Sequence, residues 1–309
     1  MSEAKTENQN AMFQPPKWRG VVDQLITFNL SFVSFLSLAV TVIIMMCLIY
    51  ESLGFFQAVS LKDFLFGKVW TPLFEPREFG VLPLLWGTFL IAAGSAIVAI
   101  PLGVGIALYF NEFATYKTRR VLKPIIEVLA GIPSVVYGYF ALTTISPLLR
   151  AILPQTGVFN AASAAIVVGI MILPVITSIS DDAIHSLPRS LKESAYACGA
   201  TKMEVCLGVL LPAAASGIFA SFILGFSRAI GETMAVTLAA GSTPNLNFNF
   251  LEGIQTMTAY IVQVCMGDVA HGTIEFQSIF AVALLLFLIT LALNWISQLI
   301  IKRLAKEFT

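Results

Sequence analysis

Ser186-Leu-Pro-Arg-Ser-Leu-Lys-Glu-Ser-Ala-Tyr-Ala-Cys-Gly-Ala-Thr-Lys-Met-Glu204 separates two charge-free apolar runs, Ala151 to Ser180 and Val205 to Ser227. Ser190 and Glu193 have the S-x-x-E spacing of a capping box, and Pro188 suits a helix start, so the spacing predicts a short helix here. Gly199 can adopt the left-handed conformation that ends a helix. Thr201 and Glu204 repeat the capping spacing and predict a second helix that runs into the next apolar run. Helix, sharp glycine turn, helix makes a rigid knob, with Leu191, Ala195 and Tyr196 as a small apolar face. Spacing alone leaves open an ordinary loop with two fortuitous capping patterns.

The flanking runs set the solvent. A membrane helix needs about 20 mostly apolar residues, and six charge-free runs of that length occur: Leu30 to Tyr50, Val81 to Asn111, Val128 to Leu149, Ala151 to Ser180, Val205 to Ser227 and Phe276 to Ile301. With 57% hydrophobic and 12% charged residues and a mean hydropathy of +0.85, lipid must surround most of the chain. The reading is therefore an all-α polytopic membrane protein with six transmembrane helices. Pro101, Pro133 and Pro174 fall inside runs and predict kinks that neighbouring helices stabilise.

Basic residues stay on the cytoplasmic side. Placing both termini there gathers thirteen of the 18 Lys and Arg residues in the two tails and two loops on that side, whereas Gly231 to Gln277 carries none. Residues 1–29 read as an uncleaved cytoplasmic tail, since the first run exceeds the ~7–15 residues of a signal-peptide core. Residues 30–80 then hold the first helix and an external loop, 81–301 the remaining transmembrane domain with its loop at 181–204, and 302–309 a cytoplasmic tail. Glu51 to Gly80 and Gly231 to Gln277 are too long for simple connectors. In the second, Thr233 to Ala240 is apolar but too short to span, which predicts short helices or partial re-entry.

Several chemistries are excluded. Zero net charge gives no footprint for nucleic acid. Cys47, Cys198, Cys206 and Cys265 form no CxxC pair, and His185 and His271, read as loop residues, complete no metal site. No cofactor is expected. There is also no G-x-x-x-x-G-K-[ST] phosphate-binding loop.

One charged pair stands at the outer part of the fifth run. Arg228 and Glu232 are spaced i, i+4, which on a continuous helix puts them on one face. Gly217, Ser221 and Gly225 recur every four residues upstream and let another backbone approach. Continuing that stripe predicts a pore or subunit-interface face, where the Arg fork can meet an oxyanion while Glu232 holds it and keeps the empty site near neutral. The alternative is a helix-end anchor at the headgroups.

The knob resembles the EAA loop of bacterial ABC importer permeases: EAA, three residues, Gly, nine residues, Ile, one residue, Leu-Pro. Here stand Glu193-Ser194-Ala195, Gly199, Val209 and Leu211-Pro212 in the same register, with Ser194 for Ala and Val209 for Ile. Gly131-Ile-Pro-Ser-Val-Val-Tyr-Gly-Tyr-Phe140, Ser227-Arg-Ala-Ile-Gly-Glu-Thr-Met-Ala235, and the tract Trp70-Thr-Pro with Phe79-Gly80 and Gly87-Thr88 are similar to phosphate-specific permeases, PstC-type. The resemblance implies a type I ABC importer permease fold in the bacterial inner membrane. It implies that Glu193 through Glu204, with Ser194, Ala195, Gly199, Ala200 and Thr201 among them, dock on an ATP-hydrolysing subunit and transmit its motion. It further implies as partners a homologous PstA-type permease, a PstB-type ATPase dimer and a periplasmic phosphate-binding protein, with ATP hydrolysis outside this chain. A permease for molybdate, sulfate or a phosphonate is the nearest alternative. A secondary transporter explains the helices but not the EAA register, and no nucleophile and base are arranged for an intramembrane enzyme.

Overall fold

The computed structural model describes residues 17–307, and its described residues form helices and one isolated bridge, Trp70 to Phe79, but no strand. We number the helices α1 Lys17–Ala58, α2 Leu61–Phe66, α3 Leu82–Phe113, α4 Tyr116–Gly131, α5 Ser134–Ile152, α6 Ala161–His185, α7 Arg189–Ala197, α8 Lys202–Ala213, α9 Ala215–Ile230, α10 Met234–Ala240, α11 Met257–Cys265 and α12 Ile274–Glu307. The chain divides into two compact units after Tyr50. The first unit is the greater part of α1, apolar around its whole circumference from Leu30 onward, as lipid requires. Residues 1–16 of the expected tail lie outside the described residues, whereas 17–29 are helical and belong to α1. At the other terminus α12 runs on to Glu307, so the tail expected from residue 302 begins as helix.

The second unit is a bundle built on α3 against α6, with α9 packed on both and α12 on α9. Leu90, Ile91, Val167, Val168, Met171, Ile172, Ile176 and Ile230 form its main core. Among the described residues α1, α3, α5, α6 and α12 are each long and apolar enough to span, and α8 with α9, bent by 74° at the break, makes a sixth if the pair is counted as one span. Six spans were legible in the sequence; their ends were not. The run from Val128 is cut by Pro133, which holds Ile132 extended (ψ 129°) and ends α4, so the third span starts at Ser134. The run from Ala151 is cut by Pro154 and Gly157. Its helix begins only at Ala161, where the Asn160 side chain caps the Ser163 amide at 2.7 Å.

Prolines inside spans are absorbed in two ways. Pro101 and Pro174 sit within α3 and α6. Pro147 and Pro212 instead follow π turns, Ala141–Ile145 and Cys206–Leu210, in which Ser146 and Leu211 bond to carbonyls five residues back. The wider turn keeps the ring off the carbonyl it would otherwise strike.

The segment 231–273 is structured. It holds α10, which packs on α5 and α6, and α11, which packs on α12. The amides of Asn160, Ala161 and Ala162 donate to the carbonyls of Ala239, Glu252 and Phe250, so the segment satisfies backbone donors at and around the N-terminus of α6. Trp86 Nε1 donates to Asn247 O at 3.0 Å, and Met257 N donates to Thr88 Oγ1 at 3.0 Å, fastening the same segment to the start of α3. Beside it, Phe55, Phe64, Trp70, Met257, Tyr260 and Val282 form a second core.

Candidate functional site

The helix–turn–helix between α6 and α8 forms as the spacing predicts at one arm and differently at the other. At α8, the Thr201 hydroxyl accepts from Glu204 N while Glu204 Oε2 accepts from Thr201 N at 2.7 Å, a complete capping box. At α7 the expected Ser190–Glu193 box is absent. Pro188 is the cap residue, with its fixed φ of −58°, and Ser190 is already helical, so its hydroxyl is not at a capping position. Gly199 has φ +84°, and no atom lies within 4 Å of where its Cβ would stand, so backbone conformation rather than space fixes this residue. Ala200 N donates to Ala195 O at 3.2 Å and Gly199 N to Tyr196 O at 2.9 Å, the paired bonds of a Schellman turn.

The knob has two faces. Glu193 and Ser194 are exposed, and so is Leu191. Ala195, Tyr196 and Ala200 pack inward on Ala107, Ile184, Val205, Leu210 and Ile218. Ala195 and Tyr196 are thus part of the knob's root, and of the expected apolar face only Leu191 stands free. The Tyr196 hydroxyl donates to Glu112 Oε1, and Lys192, one turn earlier on α7, forms an ion pair with Glu112. Burial and the neighbouring carboxylate push the Tyr196 phenol up to about 12, so it is a protonated donor at neutral pH. The Glu112 side chain is 3% exposed, and the residue belongs to the π turn Tyr109–Phe113 that ends α3.

A second buried carboxylate lies next to the first. Asp181 of α6, 1% exposed, receives Arg119 Nη2 at 2.8 Å, Lys123 Nζ at 2.9 Å and Asn111 Nδ2 at 2.7 Å. It ties α4 and the end of α3 to α6. The sequence reading missed Glu112 and Asp181 because it used them as boundaries of apolar runs. Arg119, Lys123 and Lys192 were weighed only as charges that orient the protein. The available signal was an acidic residue directly at the end of each of two apolar runs.

Arg228 and Glu232 are not brought together. α9 ends at Ile230 and Gly231 caps it, so Glu232 lies beyond the helix and shares no helical face with Arg228. Among the described residues no carboxylate lies within ion-pair distance of Arg228, which is exposed in the last turn of α9 beside exposed Leu224. Glu232 instead turns to α10: its Oε1 accepts from Ala235 N at 3.1 Å and its carbonyl from the Thr258 hydroxyl at 2.7 Å. The small-residue stripe is corrected as well. Gly217 lies against Ala183, Gly225 against Ile176, and Ser221 Oγ bonds Ser180 Oγ at 2.9 Å, so the stripe packs on α6 inside the chain. His185 is the last residue of α6 rather than a loop residue.

Comparison with known proteins places this geometry. A family model described as the binding-protein-dependent transport system inner membrane component matches residues 99–306. The chain is 37% identical over 246 residues to the probable ABC transporter permease protein YqgH of Bacillus subtilis strain 168, covering 78% of this chain and 79% of that protein. It is 34% identical over 272 residues to the phosphate transport system permease protein PstC of Mesorhizobium japonicum, covering 81% and 82%. Among solved structures, a chain of a bacterial alginate ABC transporter in complex with an alginate pentasaccharide-bound periplasmic protein aligns with TM-score 0.66 at 15% identity over 94% of this chain and 99% of that one. A chain of the inward-facing MetNI methionine ABC transporter aligns with TM-score 0.54 at 21% identity over 73% and 94%. At those identities the likeness speaks to fold alone. The bundle with its projecting helix–turn–helix is a membrane transport permease of the ABC importer type I fold. The chain belongs to the binding-protein-dependent transport system inner membrane component family.

Proposed function

We propose that this chain is a permease subunit of an ATP-driven importer and forms, with a homologous PstA-type subunit, the pathway for inorganic phosphate. The observation that carries the reading is identity of 34% over most of the chain with a phosphate permease, together with a helix–turn–helix in EAA register whose Glu193 and Ser194 are exposed for docking. ATP is hydrolysed by a separate PstB-type dimer that receives this knob, and a periplasmic phosphate-binding protein delivers cargo to the opposite end. α7 and both termini are then cytoplasmic, in the inner membrane.

Arg228 is the cargo-facing cation in this reading. A charge set at the end of an apolar helix costs about 2.5–3.5 kcal/mol toward the bilayer centre, and among the described residues no carboxylate pairs with it. The exposed face that carries it is the face the second subunit would cover, and a guanidinium there can hold phosphate by two parallel hydrogen bonds. Glu232 shapes the same end of the pathway by holding the start of α10. Reconstitution of the chain with its three partners and ATP tests the proposal: labelled phosphate should enter vesicles only with binding protein and ATP. Uptake that sulfate, molybdate or a phosphonate suppresses as well as phosphate does would overturn the cargo assignment.

A further inference from the structure

Resting on that coupling reading, we infer that Glu112 is the positioning residue through which motion of α7 is passed to α3. The knob is fastened by both arms to a single π turn, Tyr109–Phe113. From α7, Lys192 and Tyr196, spaced i, i+4 on one face, converge on the Glu112 carboxylate. Lys192 Nζ also donates to Asn111 O at 3.3 Å. From α8, Lys202 Nζ donates to Glu112 O at 3.4 Å and stands 5.7 Å from the centre of the Phe113 ring. These residues are distinct from the exposed Glu193 and Ser194 that would meet a partner, so docking and transmission use opposite faces of one short helix.

The π turn is suited to this. A carboxylate 3% exposed cannot exchange its partners for water as a surface group can, so α7 cannot shift without moving Glu112 or stranding a charge. Glu112 continues directly into α3, whose other end carries Trp86 and Thr88 bonded to the 241–257 segment. α3 is therefore a rod with the knob latched at one end and the structured segment at the other. Asn111, next in the same turn, is bonded to Asp181, which keeps that turn seated on α6.

The test uses the reconstituted four-component complex and reads phosphate imported per ATP hydrolysed, a ratio that loss of folded protein does not change. Glu112→Gln and Tyr196→Phe should keep the ATPase bound and hydrolysing while the ratio falls roughly tenfold, the scale on which a charge-assisted hydrogen bond acts. If Glu112→Gln does not accumulate, Tyr196→Phe decides alone, since it removes only one hydroxyl from a half-buried side chain. Wild-type uptake with an unchanged ratio in the variants overturns the role of Glu112 and leaves the transporter reading standing. A wild-type complex with no ATP-driven uptake would overturn that reading first.

Discussion

At the residue scale, Gly199 and Arg228 are constrained for different reasons, and their substitutions should fail differently. Gly199 has open space around it but a φ of +84°, which costs an ordinary L-residue about 1–2 kcal/mol. Gly199→Asn should be mildest because Asn tolerates the left-handed region, Gly199→Ala intermediate, and Gly199→Val worst. The measurement is stimulation of ATPase activity by loaded binding protein. Equal stimulation across the series would sink the turn's role. Arg228, by contrast, should be read by chemistry. Arg228→Lys keeps the charge but loses the fork, so phosphate uptake at matched membrane abundance should drop substantially, and Arg228→Gln should abolish it. Full uptake by the Lys variant would reduce Arg228 to an interfacial anchor, since Lys snorkels equally well. Gly199 was legible in the sequence because a local bond pattern dictates it. The separation of Arg228 from Glu232 was not, because the i, i+4 argument assumed a helix that Gly231 ends.

At the element scale, α4 is held to α6 by one buried carboxylate and two partly exposed cations. No side chain of α4 is buried, so Asp181 is the chief polar link that fixes its position against α6. Removing one partner of a fully buried pair costs about 3–5 kcal/mol. Arg119 and Lys123 are about 30% exposed, and solvent screening reduces the figure. Asp181→Asn should therefore lower the thermal midpoint in detergent clearly, and Lys123→Gln less, because Arg119 still pairs. The hydrogen bond that Lys123 donates to Asp181 raises the Lys123 pKa above its ordinary 10.5 despite desolvation by burial. A raised lysine pKa stabilises the fold below the ordinary value of 10.5 and loses that contribution as pH climbs through the folded value. Stability of wild type relative to Lys123→Gln should thus be flat from pH 7 to 9 and narrow above pH 10.5. A difference already closing at pH 8 would show that this ammonium is not held as described. Periodicity could not reveal this link: the two acids lie at the ends of apolar runs, and what they bind is 58 to 84 residues away in the chain.

At the scale of the whole molecule, the proposed inside–outside arrangement rests on physics that acts on the chain as a whole, the retention of Lys and Arg on one side. The helix count was readable for the same reason, since each span must cover the same hydrocarbon thickness. The ordered 231–273 segment was less so, because its backbone groups meet distant partners at Asn160, Ala161, Ala162 and Thr88, and the bend of 74° between α8 and α9 falls inside the single charge-free run Val205 to Ser227. The native cysteines supply a direct test of orientation. Cys198, in the turn of the knob, and Cys265, at the end of α11, are both exposed, whereas Cys206 is buried. Cys47 lies within the first span, where a thiol has little chance to ionise and react. A membrane-impermeant maleimide added to intact spheroplasts should therefore modify Cys265 and spare Cys198. In inside-out vesicles the preference should reverse, and binding of the ATPase should then protect Cys198, three residues from Ala195, in the element proposed to dock. Mapping the label by mass spectrometry of the purified chain distinguishes the outcomes. Modification of Cys198 from outside would invert the topology and, with it, place the knob where no ATPase could reach it.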